Sequence, residues 1–390
     1  MMRHDAAMAA KLNSLYSAGR LTLSSGNSYM AKNATAAGIR LLVLEGDGIG
    51  PEITAATLAV LRAADAKFKL GFNVETAAIG WSAHKALGTT FPDAVEVLAK
   101  AADGVLLGPV SHNDYPPKDK GGLNPSGELR RRLDLYANVR PALSRDGFPP
   151  RCGKPVDLVI VRENTEGFYA DRTMFAGTGE FMPTPDLAMA MRKITRAGST
   201  RIAEAAFKLA MTRRKHVTSV HKANVLRVSD GLYLECCRAV AARYPQVKYE
   251  EQLIDSMAAL LIRDAGKFDV IVTTNMFGDI LSDEATEISG SIGLAASLNA
   301  GADYAVAQAQ HGSAPDIAGK NVANPASLIG SAAMLLAWLG ERRGADNLTR
   351  AAAAIEAALS AVIATADGRT PDMGGTLGTD AFGKKVAEAV

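Results

Sequence analysis

The segment FDVIVTTNMFGDILSDEATEISGS, residues 268–291, joins an apolar run to a polar, periodic one. FDVIVTTN reads as a buried strand. The residues after it set Asp279 and Asp283 four apart, beside Met276, Phe277, Ile280 and Leu281. Four residues make about one helical turn, so both carboxylates share a helix face. Carboxylates that close repel unless positive charge lies between them. A bound divalent cation meets that need. The alternative is a pair of acids in a first helical turn, complementing the helix dipole. On this stretch alone the two readings stand level.

The same strand-to-helix step recurs outward from this segment. IRLLVLEG (39–46) is an apolar strand ended by GDGIGPE, and Pro51 opens a helical stretch. FNVETAAIG and DGVLLGPV read as strands, with DAVEVLAKA as a helix between them. Residues 111–128, SHNDYPPKDKGGLNPSGE, form a long polar loop, and loops of that length are usually functional. ELRRRLDLYANVRP returns to helix and then extends. DLVIVRENTEGFYADR is a further strand. Residues 171–187 read as loop, and DLAMAMRKITRAGSTRIAEAAFKLAM as mostly helical. HVTSVHKANVL is a strand ending in charge, and the last third is rich in helix. Alternating strands and helices predict an α/β fold around a largely parallel sheet. Asp47, Arg162, Lys222 and Asp279 stand just beyond the carboxyl ends of strands, the edge where such sheets bind ligands.

Bulk properties narrow the function. A chain of 390 residues predicts two domains. Its 43 Lys and Arg balance 41 Asp and Glu, which argues against bulk-charge binding of nucleic acid or membrane surfaces. No apolar run reads as a membrane span; SAAMLLAWLG (331–340) reads as a core helix. Cys152, Cys236 and Cys237 form no zinc or CxxC pattern and fit a reduced, cytoplasmic protein. The first 38 residues are Ala- and Ser-rich with four basic residues and one acid. They read as a disordered tail, a transit peptide or an over-early start, with Met30 opening a shorter product. A non-functional extension is the preferred reading; a transit peptide would instead imply the mitochondrial matrix.

GDGIGPE is not a dinucleotide fingerprint, because Pro51 occupies the third glycine position. It reads as a tight strand-to-helix turn. Arg130, Arg140 and Arg162 lie at element ends; together they suit a di- or tricarboxylic acid, and singly each suits a surface ion pair. Lys222, among Val, Ala and Leu, is a candidate for proton transfer, with Tyr169 as partner acid. Asp255, Asp279 and Asp283 together would make a hard-oxygen site for Mg²⁺ or Mn²⁺.

LEGDGIGPEI, LYANVRP, VRENTEGFY, VTSVHKANVL, NMFGDILSDEA, GSIGLAASLN, HGSAPDIAGKNVANP and TPDMGGTLGTDAF together resemble the β-decarboxylating dehydrogenases. That family holds isocitrate, 3-isopropylmalate, homoisocitrate and tartrate/D-malate dehydrogenases, and the resemblance covers about residues 39–390. It implies two α/β domains around a mixed sheet, not a true Rossmann fold: residues 39–135 with 290–390, and residues 136–289. It implies that Arg130, Arg140 and Arg162 clamp a malate-type substrate, joined by Asn124 and Ser126. Tyr169 and Lys222 would move protons, with Asn224 near the nicotinamide. Asp255, Asp279 and Asp283 would hold Mg²⁺ or Mn²⁺. His311, Gly312, Ser313, Ala314, Asp316, Ile317 and Asn324 would bind the nucleotide. Members are homodimers with shared sites, so Lys222 and Asp255 would complete the site of a second copy.

Asp316 and Ile317 stand where NADP-dependent members carry Lys and Tyr, and a carboxylate repels a 2′-phosphate, so NAD is expected. Asn124 and Ser126 keep, in swapped order, the polar pair of isocitrate enzymes. A polar pocket suits a third carboxylate better than a branched alkyl group. An isocitrate-like substrate is therefore expected, with isopropylmalate, tartrate or D-malate as alternatives. Gln308 stands where members usually have an acid. A non-catalytic regulatory subunit is the competing class; retention of Tyr169, Lys222 and the three aspartates argues against it.

Overall fold

The structure is a computed structural model, and it describes residues 38–169, 174–175 and 177–390. The expectations for residues 1–37 lie outside that range. The chain runs β1 (Arg40–Leu44), α1 (Gly50–Phe68), β2 (Asn73–Thr76), α2 (Gly80–Leu87), α3 (Asp93–Ala101) and β3 (Gly104–Leu107). It continues with α4 (Pro125–Arg132), β4 (Ala137–Leu143), β5 (Asp157–Glu163), β6 (Glu180–Thr184), β7 (Leu187–Ala190) and α5 (Arg196–Met211). Next come β8 (His216–His221), α6 (Ser229–Ala241), β9 (Lys248–Leu253), α7 (Ile254–Asp264), β10 (Val270–Thr273) and α8 (Asn275–Ser289). The chain closes with β11 (Leu298–Ala300), β12 (Ala305–Gln308), α9 (Ala326–Arg343), α10 (Asp346–Ala364) and α11 (Thr379–Ala389).

Ten strands form one sheet in the order β2-β1-β3-β12-β11-β4-β5-β10-β8-β9. Two parallel blocks, β2-β1-β3-β12 and β5-β10-β8-β9, are joined through antiparallel β11 and β4. This is the expected α/β architecture with a mixed, mostly parallel sheet. The inner strands β1, β3 and β10 are near-continuous apolar runs because they are buried on both faces, whereas the edge strands β2 and β9 are polar. Val270, Ile271 and Val272 are fully buried, as are Leu42, Val43 and Leu44. One pair of cores packs on the β1–β3–β12 block and another on the β5–β10–β8 block. The switch between blocks brings the ends of β4, β5, β10 and β12 towards one region, where the candidate site lies.

Two local expectations are corrected. Residues 186–190 are not helical: β7 pairs antiparallel with β6 across a turn at Pro185–Asp186. Part of the expected 171–187 loop is thus a strand. The Ala and Met of LAMAM favour helix, but pairing outweighs that preference of a few tenths of a kcal/mol per residue. The helix starts at Arg196, capped by Thr195, whose side chain accepts from the Gly198 N–H. The α10 helix is long and apolar enough to cross a membrane by composition, which the sequence reading missed. Leu348, Ile355, Leu359 and Ile363 on that helix are buried in the protein core.

Candidate active site

The α8 helix carries the two aspartates of the opening segment. It begins at Asn275, so Asp279 and Asp283 stand one and two turns inside, and the first turn holds no acid. The dipole alternative therefore fails, since that effect falls off within the first turn. Positive charge meets the pair instead. Arg140 donates to Asp279 Oδ1 at 3.1 Å, to Ser282 Oγ at 2.7 Å and to Asp283 Oδ1 at 3.5 Å. Arg162 donates to Asp279 Oδ1 as well, and to Asn275 Oδ1 at 3.0 and 2.6 Å. Tyr169 donates its phenol to Asp279 Oδ2 at 3.2 Å.

Arg162 is only 1% exposed, deep for a guanidinium, and packs closely against α8. Gly278 permits this: a Cβ there would come within 2.6 Å of Arg162 Cγ. Burial opposes ionisation of Asp279, but the guanidiniums of Arg162, Arg140 and Arg130 outweigh it and hold the carboxyl below its ordinary range. The carboxylate is thus kept charged and available.

These groups face a cavity of about 260 Å³. Arg130, Arg140, Arg162, Tyr169, Asp279, Asn124 and Ser126 line it, with His311 and Gly312 at one edge. Asn124 caps α4, its Oδ1 accepting from the Gly127 N–H at 3.1 Å, which leaves its NH₂ for a ligand. Ser126 donates to Gln308 Oε1 at 2.9 Å, and Asn299 donates to the same oxygen at 3.3 Å. Gln308, Gln310 and His112 also line the cavity. The sequence reading assigned no role to Gln310 or His112; their closeness to the pocket carries no spacing signal.

Asp255 does not join Asp279 and Asp283 within one chain. Its carboxylate pairs with Lys222 Nζ at 2.5 Å, and its side chain is 63% exposed. Among the described residues no group of three His, Cys, Asp or Glu could hold a metal ion. Lys222, Asn224 and Asp255 do not line the cavity. The reason is topological: Lys222 follows β8 and Asp255 opens α7, towards the far edge of the sheet.

The residues expected to bind the nucleotide pack against the turn that follows β1. Ser313 Oγ meets Ser111 Oγ at 2.7 Å, and the Ile49 N–H donates to the Ser313 carbonyl at 2.8 Å. Ala314 adopts a left-handed φ of 38° before the turn holding Asp316 and Ile317. Asn324, two residues before α9 begins, accepts from the Ala326 N–H and donates to Asp372, both at 3.0 Å. Burial pulls the His311 pKa down, so its ring is neutral at pH 7. The donor set fits a divalent cation: Asp279, held ionised, shares one helix face with Asp283, beside a buried amide oxygen of Gln310 that has no partner among the described residues.

A sequence profile of the isocitrate/isopropylmalate dehydrogenase family matches residues 40–390. The chain belongs to that family. This dehydrogenase is 39% identical to the 3-isopropylmalate dehydrogenase of Sulfurisphaera tokodaii, over 88% of this chain and 96% of that protein. It is 38% identical to the mitochondrial isocitrate dehydrogenase (NAD) catalytic subunit 6 of Arabidopsis thaliana, over 90% of this chain and 88% of that protein. The crystal structure of isocitrate dehydrogenase from Methylococcus capsulatus superposes with a TM-score of 0.79 at 38% identity. It covers 90% of this dehydrogenase and 99% of its own chain. Relatives named for different substrates match about equally well, so substrate choice has to be argued from the pocket.

Proposed function

We propose that this dehydrogenase oxidatively decarboxylates a 2-hydroxy acid of the substituted-malate type, with NAD and Mg²⁺ or Mn²⁺, and that an isocitrate-like acid is its substrate. The observation that carries the reading is one cavity holding Arg130, Arg140 and Arg162 beside ionised Asp279, with a polar wall of Asn124 and Ser126. Three guanidiniums exceed what one carboxylate needs. An isopropyl group against Asn124, Ser126 and Gln308 would leave polar groups unpaired, at a cost that disfavours it.

The chain's residues divide the work. Arg130, Arg140 and Arg162 bind and orient the carboxylates. Asp279 and Asp283, with Asp255 of a second copy, would hold the cation. A bound cation would supply charge that acidifies the 2-hydroxyl and offsets the charge left as CO₂ departs, and NAD would supply the hydride acceptor. Lys222 takes the hydroxyl proton, and Tyr169 delivers a proton to carbon after decarboxylation. Ser313, Ala314 and Ile317 seat the nucleotide, Gly312 and His311 flank it, and Asn324 lies near the adenine. Asp316 selects NAD by repelling a 2′-phosphate. Asn224 lies near the nicotinamide. The separation of Lys222 and Asp255 from the cavity of their own chain supports a homodimer with shared sites. The free thiols of Cys152, Cys236 and Cys237 support a reducing compartment, the cytoplasm first.

The test is NADH formation with isocitrate, homoisocitrate, 3-isopropylmalate, D-malate and tartrate, each with and without EDTA. The proposal expects isocitrate or homoisocitrate to lead and EDTA to abolish turnover. A lead for isopropylmalate would overturn the substrate reading.

A further inference from the structure

Gln310 lies two residues beyond β12 and immediately before His311. Its backbone N–H donates to Ser327 Oγ at 3.3 Å, which ties this turn to the start of α9. Its side-chain NH₂ donates to Asp283 Oδ1. Its Oε1 is buried and has no partner among the described residues. The same side chain lines the cavity with Asp279, Tyr169 and the arginines.

A buried amide oxygen without a partner is unusual in a native protein and calls for a water, ion or ligand to take it. The oxygen and nitrogen of a Gln amide exchange places by a half-turn about one soft bond. Hard divalent cations accept Gln carbonyl oxygens alongside carboxylates. Gln310 thus holds the right atom, one amide width from a carboxylate already argued to bind the cation. We infer that Gln310 is a further oxygen donor of the cation site, directly or through a water the cation holds. Its NH₂ steadies Asp283 when the cation is away. The inference rests on the cation reading given above.

The sign of one measurement decides it. If Gln310 only donates to Asp283, it competes with a cation for Oδ1, and its removal leaves cation affinity unchanged or tighter. If it supplies oxygen, its removal weakens binding. The full-length protein is titrated with Mn²⁺, free Mn²⁺ being followed by electron paramagnetic resonance, without substrate or nucleotide. Gln310→Leu should weaken Mn²⁺ about tenfold, the low end for lost supporting partners. Gln310→Glu, which keeps an oxygen but loses the NH₂, should bind Mn²⁺ at least as tightly as wild type. Wild-type or tighter binding by Gln310→Leu overturns the inference, as does weakened binding by Gln310→Glu. Should wild type bind no Mn²⁺, and Asp283→Asn change nothing, the cation reading itself falls and the inference with it.

Discussion

At the residue scale, Arg162 joins stability to chemistry. Its guanidinium donates to the buried Oδ1 of Asn275 and reaches Asp279. Arg162→Met should therefore abolish turnover and also cost about 1–3 kcal/mol, because Asn275 Oδ1 loses its donors. Urea denaturation without substrate checks the second part; an unchanged midpoint would contradict it. Lys222→Met is expected to separate chemistry from binding. Turnover should fall about 10²–10⁴-fold, as for loss of a proton-transfer group, while NADH binding measured by fluorescence stays at the wild-type level. Retained turnover would mean that another group moves the proton. The aspartate pair was legible in the sequence because i and i+4 share a helix face. The arginines could be singled out by residue type and position at element ends, but their contacts with Asp279 could not. Nothing local in QAQHG announces that Gln310 reaches Asp283 across 27 positions of chain.

At the element scale, α4 shows how one residue can serve fold and pocket. Asn124 caps the helix that carries Ser126 and Arg130. Asn124→Ala should cost about 1 kcal/mol through the lost cap. Asn124→Asp keeps an accepting oxygen and should melt like wild type. It adds negative charge where a third carboxylate is proposed to sit, so KM for isocitrate should rise while that for D-malate stays nearly constant. Equal effects on both substrates would remove Asn124 from the specificity pocket. Most elements could be read from period and punctuation: β10 from its apolar run, α1 from Pro51, the sheet from alternation. The β6–β7 hairpin could not. Phe181, Met182, Leu187 and Met189 on it are exposed in the single chain, so no buried face imposes the strict alternation that marks a strand.

At the scale of the whole molecule, the account needs two copies. A single chain holds the arginines and Asp279 in one cavity, and Lys222 with Asp255 outside it. Lys222→Met and Arg130→Met are each expected to be inactive alone. Mixed under conditions of subunit exchange, they should recover about a quarter of wild-type activity, since half the dimers would be mixed and each would keep one intact site. No recovery, with exchange verified by mass spectrometry, would place every catalytic group within one chain. This arrangement was implied by the family resemblance and could not come from local sequence pattern, which carries no information about a second copy.

The most direct measurement is the ratio of CO₂ released to NADH formed from D-isocitrate, with Mn²⁺ present and then removed by EDTA. The account predicts one CO₂ per NADH with the cation and neither product without it. NADH formed without CO₂, or turnover that survives EDTA, would contradict the proposed cation-dependent oxidative decarboxylation.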